Sequence, residues 1–108
     1  ASANIPAIVP GTGRPRLVDL GATECIPCKK MAPILDELKA EYTGRMDVDF
    51  IDVWQPENQA QAEIYGIQSI PTQVFLDPNS QELWRHVGFI SKGDILAKWH
   101  EFGYDLHP

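Results

Sequence analysis

The chain has 108 residues, of which 44% are hydrophobic and 22% are charged, and this is the composition of a single folded domain. Nine basic and fifteen acidic side chains give a net charge of −6, which argues against nucleic acid or an anionic membrane surface as a partner, because both require clustered positive charge. No apolar run approaches the roughly 18 residues that a bilayer-spanning helix needs, so we expect no membrane insertion.

Residues 1–16 differ in composition from the rest of the chain. Three prolines and two glycines fall within them, and proline both fixes φ and removes a backbone donor. We therefore expect an extended arm or linker there, followed by one domain over residues 17–108. Ile5, Ile8 and Val9 could add a short edge strand to that domain.

The remainder of the chain alternates between strand and helix patterns. Met31, Leu35 and Leu38 recur at helical spacing, and the turn-forming run Asp77–Ser80 separates two apolar segments, as in a β-hairpin. In chain order, the patterns predict a strand over 17–20, a helix over about 27–42, a strand over 48–53, a short helix over 56–65, strands over 73–76 and 83–87, and a final helix after Ser91.

This order of elements predicts an α/β fold. The early alternation of strand, helix and strand implies a parallel crossover connection, and the late pair of strands implies an antiparallel hairpin. We therefore expect a mixed sheet of four or five strands with helices on both faces.

The two cysteines, Cys25 and Cys28, lie between the first predicted strand and the first predicted helix. A thiol at a helix N-terminus faces unpaired backbone N–H groups and the positive end of the helix dipole, so its thiolate is favoured. Pro27 suits the first helical turn, where a missing N–H group costs nothing. The spacing supplies an attacking thiol, Cys25, and a second thiol, Cys28, within reach to resolve a mixed disulfide.

Three other interpretations of the cysteine pair remain open at this stage. A purely structural disulfide closing so short a loop would contribute only roughly 2 kcal/mol in the chain-entropy model. A zinc site would need more ligands, but the chain has no second Cys-x-x-Cys and its three histidines lack the usual spacing, so we expect no metal. The third interpretation is a pair of inert core thiols.

Asp19 stands in an otherwise apolar predicted strand. An isolated buried carboxylate is costly to ionise, so we expect burial to raise the pKa of Asp19. That would make Asp19 a candidate proton acceptor for Cys28. The alternative is an acid on the solvated end of a strand.

The cysteine pair and its surroundings resemble the thioredoxin family over about residues 17–99. A Cys-x-x-Cys after a strand, followed by Ile-Pro-Thr about 45 residues later, is far more specific than Cys-x-x-Cys alone. The segments that carry the resemblance are Val18–Leu20, Cys25–Lys29, Ala32–Glu37, Tyr65–Ile67, Ile70–Thr72, Val87–Gly88 and Ser91–Gly93.

The resemblance implies a role for each candidate site residue. Cys25 would be the nucleophile and Cys28 the resolving thiol. Pro71 would be a cis proline beside them, and Ile70 would offer backbone groups to the substrate chain. Asp19 matches a buried acid of the family with the proton-accepting role. The further residues expected to face the substrate are Ile26, Pro27 and Glu24.

Four positions depart from the usual pattern of the family. Glu24 and Gly21 stand where tryptophans are usual, and Ile26 stands where glycine is usual. A negative charge at Glu24 should oppose thiolate formation beside it. Phe50 replaces the basic residue that accompanies the buried acid in many relatives, which would leave Asp19 more isolated.

The resemblance implies a monomeric thiol-disulfide oxidoreductase that reduces protein disulfides. Its partners would be proteins that carry disulfides and a reductase or other electron donor, and no cofactor is needed because the electrons move through sulfur alone. Two alternatives stay open: an exported relative with few substrates or with oxidase or isomerase poise, and a non-catalytic binding module with the same fold. The sequence leaves the compartment open between the cytoplasm and an exported or periplasmic location.

Overall fold

The structure, a computed structural model, describes residues 13–106. Most of the predicted N-terminal arm, including the candidate edge strand at Ile5, Ile8 and Val9, lies outside the described residues. Where the description begins, the Gly13 N–H group donates to the Pro78 carbonyl at 3.3 Å. The first described residues are therefore held against the Asp77–Ser80 turn.

Every strand and helix predicted from the sequence is present, with bounds shifted by about a residue. The 3₁₀ turn Pro56–Asn58 leads into the second helix, where the sequence pattern predicts continuous helix. The elements are β1 Arg16–Gly21, α1 Ile26–Glu41, β2 Asp47–Asp52, α2 Gln59–Tyr65, β3 Thr72–Leu76, β4 Glu82–Val87 and α3 Lys92–Glu101.

Local chemistry explains where the helices begin and end. Pro27 occupies the first turn of α1, where its lack of an N–H group leaves no bond unmade. Gly66 ends α2 with φ at +67°, a left-handed conformation that glycine adopts without steric cost. Ser91 caps α3, since its hydroxyl accepts the Asp94 N–H group at 3.1 Å.

The strands form one mixed sheet in the order β2-β1-β3-β4. Strands β1 and β2 are parallel and are joined through α1, whereas β1–β3 and β3–β4 are antiparallel. These four strands confirm the predicted α/β fold, including the crossover connection and the hairpin. In this register Asp19 of β1 lies between Phe50 of β2 and Gln73 of β3.

Helices cover both faces of the sheet, as predicted. Helices α1 and α3 pack on one face, and α2 packs on the other. None of the helices within residues 13–106 has both the length and the apolar character needed to cross a membrane. The larger cluster includes Leu17, Met31, Leu35, Leu38, Tyr42, Val48, Phe75, Ile95 and Trp99, and the smaller one consists of Val18, Leu20, Tyr65, Val74 and Leu76.

Two large apolar residues, one in β2 and one in α2, are exposed to solvent. Phe50 is 45% exposed and Ile64 is 42% exposed. Strand β2 is the outermost strand on its side of the described sheet, so its side chains are covered less completely than those of β1. The apolar pattern of β2 therefore does not by itself reveal which of its residues are enclosed.

Replacing Ile95 by alanine tests the packing of α3 against the sheet. Ile95 is wholly buried, so the variant leaves a cavity, and we expect its free energy of unfolding to fall by about 2–5 kcal/mol. Ile64→Ala is the matched control, because it alters an exposed helical isoleucine and should change that free energy by less than about 1 kcal/mol. Urea unfolding followed by circular dichroism measures both, and equal losses would contradict the assigned burial.

Candidate active site

The two cysteines are joined in a disulfide at the start of α1. Their Cα atoms lie 5.0 Å apart. The pair follows the end of β1 by a short loop, which is the position that the sequence pattern predicts. Within residues 13–106, no group of three side chains suited to metal binding converges.

The two sulfurs have different environments. Cys25 is the residue that caps α1, and its sulfur accepts the Cys28 N–H group at 3.3 Å. Cys25 is half-buried and its neighbour Ile26 is 71% exposed, so this side of the disulfide faces solvent. Cys28 is only 4% exposed, and its sulfur accepts the Ala22 N–H group at 3.4 Å.

The end of β1 lies very close to the buried sulfur. A Cβ atom added to Gly21 would lie 3.1 Å from the Cys28 sulfur and 3.4 Å from a ring carbon of Phe50. A side chain at position 21 would therefore require the start of α1 to move by a few tenths of an ångström. Glycine at this position permits the close approach of strand and helix.

A surface cavity of about 320 Å³ opens beside Cys28. Its walls are mostly apolar and include Leu35 and Phe50, although Lys29 and Asp36 also contribute to them. The cavity lies where the sequence departs from the family, since Gly21 and Phe50 meet next to it. The buried sulfur is thus separated from solvent by few side chains on this side.

Asp19 lies in β1, two residues before Gly21, and is wholly buried. Neither of its carboxylate oxygens has a hydrogen bond of normal geometry to any described residue. Burial raises the pKa of Asp19 to about 7, and the Gln73 side chain opposite it lowers the pKa by a smaller amount. The predicted burial and raised pKa of Asp19 are confirmed, whereas the sequence analysis missed Gln73.

The peptide bond between Ile70 and Pro71 is cis, as the resemblance implies. Because Leu20 pairs with Thr72 in the antiparallel register, Pro71 lies beside the end of β1 that contacts Cys28. The Pro71 carbonyl accepts the Gly88 N–H group at 2.7 Å. The backbone of Ile70 makes no hydrogen bond to the backbone of residues 13–106, so its polar groups remain available.

Glu24 lies in the loop before Cys25, and a lysine partly offsets its charge. Its carboxylate is 3.9 Å from the Lys29 ammonium group, and the two side chains are 75% and 58% exposed. An ion pair this exposed contributes little, typically less than about 1 kcal/mol. Trp54 is exposed in the loop after β2.

Known proteins resemble this chain over most of its length. Residues 3–101 match the sequence model of the Thioredoxin family. The chain is 41% identical over 80 residues to the thioredoxins of Staphylococcus aureus strains Mu50 / ATCC 700699 and MW2. The aligned region covers 74% of this chain and 74% of each of those relatives.

The buried carboxyl group of Asp19 should make stability depend on pH. Its pKa rises from 3.8 to about 7 in the folded chain, so folding favours the protonated form, and stability falls as pH increases between these values. A shift of this size corresponds to about 4 kcal/mol at most. In urea unfolding between pH 4 and pH 8, we expect Asp19→Asn to lose this decline and to be the more stable protein above pH 7.

The prediction is decided by how steeply the free energy of unfolding changes with pH, rather than by its value at any one pH. Asparagine has nearly the same shape as a protonated aspartate, so the variant preserves packing while removing the titration. Glu24→Gln is a suitable control, because it removes an exposed carboxylate and should leave the slope almost unchanged. Parallel curves for the wild type and Asp19→Asn would contradict the raised pKa.

Proposed function

We propose a reducing direction for this chain, which belongs to the thioredoxin family and is a protein thiol-disulfide oxidoreductase. In this proposal Cys25 attacks the substrate disulfide and Cys28 resolves the mixed disulfide that results. Asp19 accepts the proton of Cys28. Proteins with disulfides are the substrates, and a reductase or other electron donor restores the dithiol.

The difference in burial between the two sulfurs is the observation that carries this assignment. Cys25 reaches solvent, and a backbone N–H group points at its sulfur from the first turn of α1. Such a donor, together with the positive end of the helix dipole, stabilises a thiolate after reduction. Cys28 is enclosed, so a large substrate can reach it only after first bonding to Cys25.

The reaction transfers two electrons to the substrate in two exchange steps. The Cys25 thiolate bonds to one substrate sulfur, the substrate S–S bond breaks, and the other substrate sulfur leaves as a thiolate. Cys28 then loses its proton and attacks the Cys25 sulfur, which releases the first substrate sulfur as a thiolate. The substrate ends as a dithiol after protonation, and the chain ends with the disulfide seen in the structure.

Asp19 is the proposed base for the second step. A carboxyl group with a pKa of about 7 is divided between its two forms near neutral pH, so it can both take and release a proton there. Asp19 lies two residues before Gly21 in β1, so the two share a face of the sheet, and this is the face on which Cys28 lies. A carboxylate with its usual pKa would be a much weaker acceptor.

The substrate chain is proposed to lie along the cis bond between Ile70 and Pro71. The unpaired backbone groups of Ile70 can bond to an extended peptide, as at an open sheet edge. Ile26 and Pro27, beside the exposed sulfur, would contact the same peptide, and Glu24 would bring a negative charge to the rim of this surface.

Exposed apolar side chains support a protein, rather than a small thiol, as the substrate. Val87 and Phe89 are 57% and 45% exposed, and they flank Gly88, whose N–H group is bonded to Pro71. A contiguous apolar surface next to a reactive group marks an interaction site.

The connection from β2 to β3 supports the reducing direction. It holds only α2 and the preceding turn, and it lacks the inserted helical domain of the dedicated oxidases with this fold.

A Cys28→Ser variant tests the order of attack. Because the resolving thiol is missing, reduced Cys28→Ser should accumulate a mixed disulfide with a disulfide-containing protein such as insulin, through Cys25. The measurement is non-reducing electrophoresis with mass spectrometry of the bonded peptides. Cys25→Ser is the matched control and should trap almost nothing, since its remaining thiol is buried. Equal trapping by both variants would contradict the assignment.

The reduction potential of the Cys25–Cys28 pair tests the direction. We expect a value near the roughly −270 mV known for thioredoxin, far from the roughly −120 mV of the strongly oxidising periplasmic enzymes with this fold. Equilibration in dithiol buffers, with trapping of free thiols, measures it. A value near the upper figure would assign the chain an oxidase or isomerase role, and failure to titrate as a dithiol would favour a binding module.

A further inference from the structure

Gln73, the second residue of β3, is a buried polar residue that the proposed reaction does not yet use. It is wholly buried, and neither its amide nitrogen nor its amide oxygen has a hydrogen bond of normal geometry to a described residue. Enclosing an unpaired amide in an apolar interior is unfavourable, because the amide loses its hydrogen bonds to water. A side chain kept at such a cost needs a physical reason.

The register of the sheet places Gln73 directly opposite Asp19. The two residues pair across β1 and β3, so their side chains leave the same face of the sheet with Cβ atoms about 5 Å apart. Asp19 is equally enclosed and equally unpaired. Each of these polar groups therefore has the other as its neighbour in an otherwise apolar layer.

Among residues 13–106, the side chains that pack around Asp19 and Gln73 in this layer are uncharged. On the other side of Asp19 the register partner is Phe50 of β2, and α1 covers the layer with Met31 and Leu35, while Cys28 lies above it. Helix α3 contributes apolar side chains. Lys29 and Asp36 line the nearby cavity, while the shift in the pKa of Asp19 is attributed to burial and to Gln73.

We propose that Gln73 is a positioning residue for the resolving step, and that its amide pairs with Asp19 in both protonation states. An amide carries both donors and an acceptor. Its N–H group can donate to the ionised carboxylate, and after a rotation of the amide its oxygen can accept the O–H group of the protonated form. Gln73 thus takes the place of a basic partner without adding a charge. The inference rests on the proton-accepting role of Asp19 proposed above.

Among the described residues, Gln73 is the group that opposes the effect of burial on Asp19. Burial alone would raise the pKa of Asp19 further, so a smaller fraction of the carboxyl group would be ionised at neutral pH and able to accept a proton from Cys28. A donor that favours the ionised form restores that capacity. A purely structural glutamine would not alter the pH at which the reaction proceeds.

Gln73→Met tests the proposal, because methionine keeps the length and packing of the side chain and removes the amide. In the oxidised protein, the carboxyl-carbon resonance of Asp19 should titrate about one to two pH units higher than in the wild type, the equivalent of one hydrogen bond to a charged group. The pH profile of insulin reduction should shift upward by the same amount, with about a tenfold loss of rate near pH 7.

Val74→Ala is the matched control. Val74 neighbours Gln73 in β3 and is wholly buried, but it belongs to the core on the opposite face of the sheet. The variant should lose stability and keep the Asp19 midpoint and the pH profile. A loss of stability in Gln73→Met therefore does not by itself support the positioning role of Gln73.

A measurement on the wild type makes the test independent of how well the variant folds. The chemical shifts of the Gln73 side-chain amide should change with pH, with the same midpoint as the titration of Asp19. This change should be absent in Asp19→Asn. Amide resonances that stay constant through that midpoint would overturn the pairing, and so would an unchanged Asp19 midpoint in Gln73→Met.

The remaining outcomes separate this inference from the proposed function. A shifted midpoint with an unchanged rate profile would overturn the role of Gln73 in the resolving step. If wild-type protein fails to reduce insulin at any pH, the proposed function fails and the positioning role fails with it, while the two titrations still decide the pairing.

Discussion

The buried stripe of α1, formed by Met31, Leu35 and Leu38, packs against the sheet residues Leu17 and Val48, and this contact determines where the first turn of the helix lies. The same helix therefore has two roles, one in the core and one at the disulfide. Its middle and end fill the core, and its beginning holds the disulfide over the end of β1. The reactive sulfurs are positioned by α1, which buries more residues than α2 or α3, rather than by a loop.

The interior beneath that helix has a larger effect on the chemistry than the surface around it. The raised pKa of Asp19 corresponds to about 4 kcal/mol at most, whereas the exposed Glu24–Lys29 pair contributes less than about 1 kcal/mol. The internal residues therefore bear more on the proposed proton transfer than the exposed ion pair does. Phe50 leaves Asp19 without a basic partner on β2, and a neutral amide faces it from β3.

Sequence patterns locate the elements well because apolar spacing and turn residues act locally. Cys25, Cys28 and Asp19 are likewise recognisable, since a Cys-x-x-Cys between strand and helix and an acid in an apolar strand each have a direct physical meaning. The cis bond before Pro71 came from the family resemblance alone, because cis and trans X–Pro bonds differ by only about 0.5–1 kcal/mol. Gln73 was missed because its significance depends on strand pairing between residues 54 positions apart, which no local pattern encodes.

The burial of Asp19 on the same face of the sheet as Cys28 also affects how many protons the protein takes up with each pair of electrons. Oxidation and reduction change the charge and proton content of Cys28, so the two forms of the protein hold the Asp19 proton with different affinities. By linkage, the number of protons taken up with each electron pair changes across neutral pH, and a plot of potential against pH bends at the midpoints of Asp19. A side chain that carries no electrons thus sets how the driving force for reduction responds to acidity.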